Sequence, residues 1–304
     1  KELLLFEGFK KGKNKLTFQY SATPKQTLYF TGDLNEVSAQ NSNLQIWTQG
    51  QGRYTSHWLP SFDDVNEKVV FNITVSFHYL FKVLSNGKSK NDEVVDFESK
   101  TFSFKMEKPM SSYLVMLAIG NFEKQETKSK SGTPLEFYID KSDVSKFEPT
   151  YRYSKQIFDY LEQEIGVKYP WKIYRQVPVR DFLYAGMENT TSTIFSQDFV
   201  VDSIGFNDKN YINVNAHELA HQWFGDLITA QSSKHHWLQE GFATYYALLA
   251  EKEVFGDDYF YNELFDYALQ LRSAAKTDTI PVMNEKASSL SFYKKGAWAL
   301  HVMR

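Results

Sequence analysis

The sequence predicts a chain of two dissimilar parts, an all-β portion followed by a small α+β portion in which helices dominate. Three observations carry that expectation. In the first third, apolar residues recur at every second position, most clearly over residues 69–77. From Tyr153 onward the recurrence lengthens to the spacing of a helix. Between them, the stretch from Gly120 to Pro134 is rich in Lys, Ser, Thr and Glu and reads as a polar connection, which puts the boundary near Phe122. The expected division is residues 1–122 and 123–304, and 304 residues suffice for two domains of ordinary size.

Taken in order, Val69, Phe71, Ile73, Val75 and Phe77 alternate with Val70, Asn72, Thr74 and Ser76, the period of a strand. A second apolar run over residues 79–84 meets Asn86-Gly87, which predicts a hairpin turn. Residues 101–106 and 113–119 add two more strands. In the second part, Tyr153, Ile157, Leu161 and Ile165 mark a helix that Gly166 stops. Residues 171–179 and 193–195 read as strands. Helices follow over about 211–224, 236–254 (stopping near Gly256) and 257–275, and a last one begins near Leu290 and runs to Arg304. That last helix meets no Gly or Pro stop, and its Tyr293, Ala297 and Leu300 are expected to need a partner that the remaining sequence hardly supplies. The chain is therefore expected to be cut at both ends, with only part of its β domain.

Composition narrows the function classes. Apolar residues make up 42% and charged residues 23%, which fits a globular protein and not a disordered one. A net charge of −3 gives no general attraction to nucleic acid or anionic membrane. No apolar run reaches the length of a membrane span, and the first seven residues do not form a signal peptide. With no cysteine, disulfides and thiolate metal sites are excluded, and the compartment stays open.

The most informative segment is Asn215-Ala216-His217-Glu218-Leu219-Ala220-His221-Gln222-Trp223. His217 and His221 are four apart, so a helix puts both imidazoles on one face, where they can grip one zinc ion. Glu218 points off that face and suits a base acting on a metal-activated water. Glu240 follows nineteen positions after His221, room for the chain to turn and return a carboxylate as third ligand. Two His and one Glu leave a fourth position open, the pattern of a catalytic site. His57, His78 and His301 have no metal spacing, and His235 and His236 read as surface residues.

These residues, with Gly186-Met187-Glu188-Asn189 and Tyr293-Lys294-Lys295-Gly296, resemble the motifs of the gluzincin zinc aminopeptidases, the family of alanyl aminopeptidase and leukotriene hydrolase. The resemblance runs from about Gln49 to the end of the chain. It implies a thermolysin-like zinc metallopeptidase domain behind a partial N-terminal β domain, and the absence of the family's helical C-terminal domain. It implies a hydrolase that removes the N-terminal residue of peptides, with one zinc held by His217, His221 and Glu240, and Glu218 as general base. Tyr293 takes the place of the family's oxyanion-stabilising tyrosine. Glu188, helped by Gln51, takes the place that holds the substrate's free α-ammonium, with Gly186, Met187 and Asn189 beside it. Tyr184 and Gln49 are weaker candidates for the pocket of the first side chain. The implied partners are peptides with a free N-terminus; the complete protein is expected to be a monomer. Gln239 stands where the family usually has Asn; Ala185-Gly186 reverses the usual order and, with Gln51 in place of Glu, brings the chain closer to the leukotriene hydrolase branch. Two other readings stay open: a zinc endopeptidase of the thermolysin kind, which must not hold a free amine at Glu188, and a non-catalytic peptide-binding relative, which the intact His217, Glu218, His221, Glu240 and Tyr293 disfavour.

Overall fold

The structure is a computed structural model and describes residues 7–33, 43–90 and 93–304. The short apolar run over residues 3–6 lies outside the described residues. The β portion comprises β1 (Leu28–Thr31), β2 (Gln45–Thr48), β3 (Asn72–His78), β4 (Lys82–Ser85), β5 (Lys88–Ser89), β6 (Glu93–Val94), β7 (Ser99–Lys105) and β8 (Leu117–Gly120). They form two sheets, one in the order β1-β2-β8-β4 and one in the order β3-β7-β5 with β6 also on β7. The period of two is realised where β3 pairs with β7: Ile73 faces Phe104 and Val75 faces Phe102 across the ladder. Val75, Phe77, Phe102 and Phe104 then pack on Leu44, Ile46, Val83 and Ile119, the inner residues of the other sheet.

The Asn86-Gly87 pair does not make a hairpin. β4 pairs with β8, whereas β5 pairs with β7, so the chain changes sheets at this bend. Tertiary partners override the local turn signal. The Asn86 amide donates to the carbonyls of Leu114 and Thr190 and accepts from Met116 N–H, and Gly87 (φ 83°) leaves no room for a Cβ against the Lys105 carbonyl.

The expected polar connection also proves to be structure. Two strands, β9 (Phe122–Lys128) and β10 (Pro134–Asp140), pair antiparallel along their whole length. β9 is an edge strand whose Glu123–Glu126 side is exposed, so it carries the Lys and Glu that keep an edge from pairing further. Behind it the sheet continues β10-β11-β13-β12, with β11 (Tyr174–Val179), β12 (Gly186–Met187) and β13 (Ser192–Ser196). Two predicted strands are shorter than their apolar runs. Residues 112–114 form a 3-10 turn ahead of β8, and β11 begins only at Tyr174 because Tyr169, Trp171 and Ile173 are used as core side chains.

The helices are α1 (Phe147–Tyr151), α2 (Ser154–Ile165), α3 (Gly205–Asp208), α4 (Ile212–Ala220), α5 (Trp237–Phe255), α6 (Asp257–Ala274) and α7 (Gly296–Met303). α2 ends at Gly166 in the left-handed conformation (φ 73°), as its sequence requires. α4 stops one turn earlier than its periodicity suggests, and residues 221–224 continue as turns. The last predicted helix is instead a π-helical turn over Ser291–Lys295 that leads into α7. The β portion and the second part share an apolar cluster in which Trp47, Leu84 and Tyr113 meet Val177, Phe182 and Ile194. Arg175 reinforces that junction: fully buried, it donates to Glu136 at 2.6 Å and to the carbonyls of Ser85 and Gly87 at 3.2 and 2.6 Å. Among the described residues no helix is long and apolar enough to cross a membrane.

Candidate active site

α4 and α5 lie side by side and run in opposite directions. At one end His217 and His221 meet Glu240, and at the other Asn213 donates to Glu251 at 2.7 Å. This pairing brings the residues nineteen apart in sequence to one point. The Nε2 atoms of His217 and His221 are 3.0 Å apart, and Glu240 Oε2 lies 3.3 and 3.4 Å from them. A tetrahedral ion with bonds of about 2.0–2.1 Å would separate its ligand atoms by about 3.3–3.4 Å. The three atoms thus already stand at the edges of a metal tetrahedron, and Glu240 Oε2 is buried without a hydrogen bond of sound geometry. His221 Nδ1 sits 2.9 Å from the Phe224 carbonyl and can donate to it, which leaves Nε2 as the atom facing Glu240 and available to an ion. The residues present fit zinc.

A cleft of about 480 Å³ opens over this point. One wall holds Gln51, Tyr184, Gly186, Met187 and Glu188; the other holds Asn213, Val214, Thr244, Tyr267, Tyr293 and Lys294; His217, Glu218, His221 and Glu240 lie between. Ligand atoms of Glu188, Glu218 and His221 lie within 4.8 Å of one another. Glu218 packs directly under Gly186: a Cβ there would stand 2.6 Å from Glu218 Cγ, so the glycine makes room for this carboxylate. The Tyr293 ring stacks on His217 with centroids 5.6 Å apart, carried by the π-helical turn. Two further glycines set its distance from the metal ligands. Gly241, next to Glu240, and Gly296, three residues beyond Tyr293, touch backbone to backbone, and a Cβ on Gly241 would meet Gly296 Cα at 3.0 Å.

The charges are strongly coupled. Burial holds His217 below the usual imidazole range, against the pull of Glu240. Burial would do the same to His221, but the Glu240 carboxylate raises it well above that range. For Glu240, burial acts upward, yet His221 and His217 hold it well below the usual carboxylate range. Burial, with Glu188 and Glu240 adding to it against His221, pushes Glu218 well above its ordinary value. Burial followed by Glu240 and Glu218 also pushes the Tyr293 phenol far up, so its hydroxyl stays a donor. Three crowded carboxylates favour a bound cation here.

The remaining expected residues fall as follows. Gln51 lines the cleft, and its N–H donates to Gln49 Oε1 at 2.6 Å. Gln49 is buried and braces Met187, its Nε2 3.3 Å from Met187 Sδ. Asn189 does not line the cleft; it is fully buried and donates to the Leu114 carbonyl at 3.3 Å. His236 is not a bystander on the surface, because its Nε2 lies 3.3 Å from Glu240 Oε1, the oxygen turned away from the two histidines. Its position four before Glu240 was the available signal. Tyr113, unmarked by any motif, donates to Glu188 at 3.3 Å and accepts from Gln239 at 3.2 Å. Gln239 also accepts from Ala230 N–H, so its extra length spans both partners.

Comparison with known proteins matches both parts. Residues 4–114 match the Peptidase M1 N-terminal domain and residues 150–297 match the Peptidase family M1 domain. The chain belongs to the M1 peptidase family. It is 32% identical over 202 residues to glutamyl aminopeptidase of Sus scrofa, covering 64% of this chain and 21% of that protein. It is 29% identical over 259 residues to the mouse (Mus musculus) glutamyl aminopeptidase, covering 81% of this chain and 27% of that protein. It is 26% identical over 325 aligned positions to aminopeptidase 2 of Candida albicans, covering 97% of this chain and 35% of that protein. The chain therefore spans only a fifth to about a third of the length of these relatives.

Proposed function

We propose that this chain carries the catalytic centre of a zinc aminopeptidase, which hydrolyses the first peptide bond of substrates with a free α-amino group. The observation that carries the reading is the convergence of His217, His221 and Glu240 at 3.0–3.4 Å, with Glu188 facing them in the same cleft. The aminopeptidase names of the relatives support it. The boundary between the β portion and the catalytic part lies near Phe122, a division supported by the change of sheet between Gly120 and Phe122.

His217, His221 and Glu240 would hold the zinc, which when bound would supply Lewis acidity and make water easier to deprotonate near neutral pH. Glu218 takes the proton of the attacking water and passes it to the leaving amine. The Tyr293 hydroxyl donates to the oxyanion that develops on the carbonyl. Glu188 receives the substrate's ammonium, which Gln51 helps to orient, and the Gly186-Met187 backbone lies along the substrate. An ammonium held at Glu188, whose ligand atom lies within 4.8 Å of that of His221, would keep the cleaved bond close to the substrate's first residue.

The test pairs metal content with cleavage of free and N-acetylated aminoacyl nitroanilides. Wild-type protein should hold one zinc and cleave only the free amine, and His217→Ala should lose both metal and activity. Equal cleavage of blocked substrate would point to the endopeptidase reading, and full zinc occupancy in His217→Ala would overturn the ligand set.

A further inference from the structure

Resting on the reading of Glu188 as the ammonium anchor, we infer that Gln222 is a positioning residue that sets the distance between that anchor and the metal. Gln222 follows His221 directly and is fully buried. Its side-chain amide is saturated on both ends. Oε1 accepts from Thr191 N–H at 2.9 Å and from the Tyr169 hydroxyl at 3.1 Å. Nε2 donates to the Glu188 carbonyl at 3.1 Å and to the Asn189 carbonyl at 3.4 Å. One side chain thus holds three backbone groups of the loop that presents Glu188.

The loop needs such a clamp. Thr191 adopts φ 68°, a left-handed conformation that is strained for a β-branched residue. That conformation turns the Thr191 N–H inward, away from any ladder partner. Without Gln222, this N–H and the Glu188 carbonyl would lose these partners while buried, which is unfavourable for a backbone polar group. The clamp is itself fixed, because the Gln222 carbonyl accepts from Trp171 Nε1 at 3.2 Å. The path from the metal-binding imidazole to the Glu188 backbone is therefore one peptide link and one amide. Glutamate could keep the Thr191 bond but would set an oxygen against two carbonyls, and methionine would fill the space with neither bond.

The experiment compares Gln222→Met, Gln222→Glu, Tyr169→Phe and Glu188→Gln in the zinc-loaded protein. Readouts are zinc content, KM and kcat on a free-amine aminoacyl nitroanilide, and amide hydrogen exchange of the segment spanning residues 186–193. Both Gln222 variants should keep zinc and raise KM by roughly tenfold or more, with kcat changed less than about threefold, because the ammonium contact is equal in ground and transition states. Exchange in the segment should quicken by about tenfold or more as its local opening becomes cheaper. Tyr169→Phe removes the second bond to Oε1 but leaves all three bonds from the amide to the loop in place, so it should lower Tm without moving KM or exchange. Should Gln222→Met not fold, Gln222→Glu, of the same shape, carries the comparison. Unchanged KM and exchange in a zinc-replete Gln222 variant would overturn the inference, as would an equal rise in KM in Tyr169→Phe. If Glu188→Gln leaves KM unmoved, the ammonium reading itself falls; if it raises KM while the Gln222 variants do not, only the positioning role falls.

Discussion

Replacing Gly186 by alanine would separate the catalytic carboxylate from the rest of the site with one methyl group. The backbone at Gly186 is not left-handed, so alanine meets no conformational penalty there. Its Cβ would nevertheless stand 2.6 Å from Glu218 Cγ, 2.7 Å from Oε1 and 2.8 Å from Cδ. Ordinary carbon contacts begin at about 3.5 Å, so the Glu218 side chain must retreat by about 1 Å. A carboxylate on a flexible stem can make that move cheaply, and global stability should change by less than about 1 kcal/mol. The chemistry tolerates it far less: a misplacement of 1 Å costs on the order of 100-fold, or about 2.7 kcal/mol of transition-state stabilisation. Zinc should remain, because Glu218 is not among its ligands. The assay is kcat and KM on a free-amine nitroanilide beside zinc analysis and a thermal melt. A kcat within about threefold of wild type, with the protein folded and loaded, would refute the placement of Glu218 as the proton carrier.

Other outcomes follow from the same geometry. Tyr293→Phe should keep zinc and KM but lower kcat by about 10²–10³-fold if the hydroxyl serves the oxyanion, which steady-state kinetics would settle. His236→Ala removes the neighbour 3.3 Å from Glu240 Oε1 and should weaken zinc by about 10–100-fold in a chelator competition, with unaltered affinity refuting its orienting role. Glu251, raised by burial from 4.5 to about 7, binds an extra proton in the folded state between those values. Its protonated form is favourable below the lower value, and stability is lost as pH rises through the higher one, by up to about 3 kcal/mol. Glu251→Gln should flatten that decline in urea unfolding at pH 5 and 8; parallel profiles for variant and wild type would refute it.

Much of the site is legible in the sequence because its chemistry is carried by short spacings. Two imidazoles four apart and a glycine before Met187-Glu188 declare themselves wherever they are read, and a helical period places them. What escapes is contact made in three dimensions. β9 hides because an edge strand presents polar residues and takes its identity from its pairing with Pro134–Asp140. Asn86-Gly87 misleads because the Asn86 amide serves three backbone groups from other segments rather than its own turn. Tyr113 and Gln222 carry no local signature at all, since a buried amide or phenol is marked as a support only by the groups it meets. The π-helical turn under Tyr293 is likewise invisible to a period of 3.6, although it decides which way that ring points.

The contact between Gly241 and Gly296 has a mechanical consequence. Two backbones pressed together without side chains offer no rotamer through which the spacing between α5 and α7 could give way. Glu240 and Tyr293, the zinc ligand and oxyanion donor of the proposed mechanism, therefore ride on a single stiff plate. Any widening of the cleft that admits a peptide or lets its products leave must then come from its rim, where Tyr184 is exposed. On the proposed reading the ammonium anchor belongs to the same unmoving block, because Gln222 ties the Glu188 backbone to the segment that carries His221.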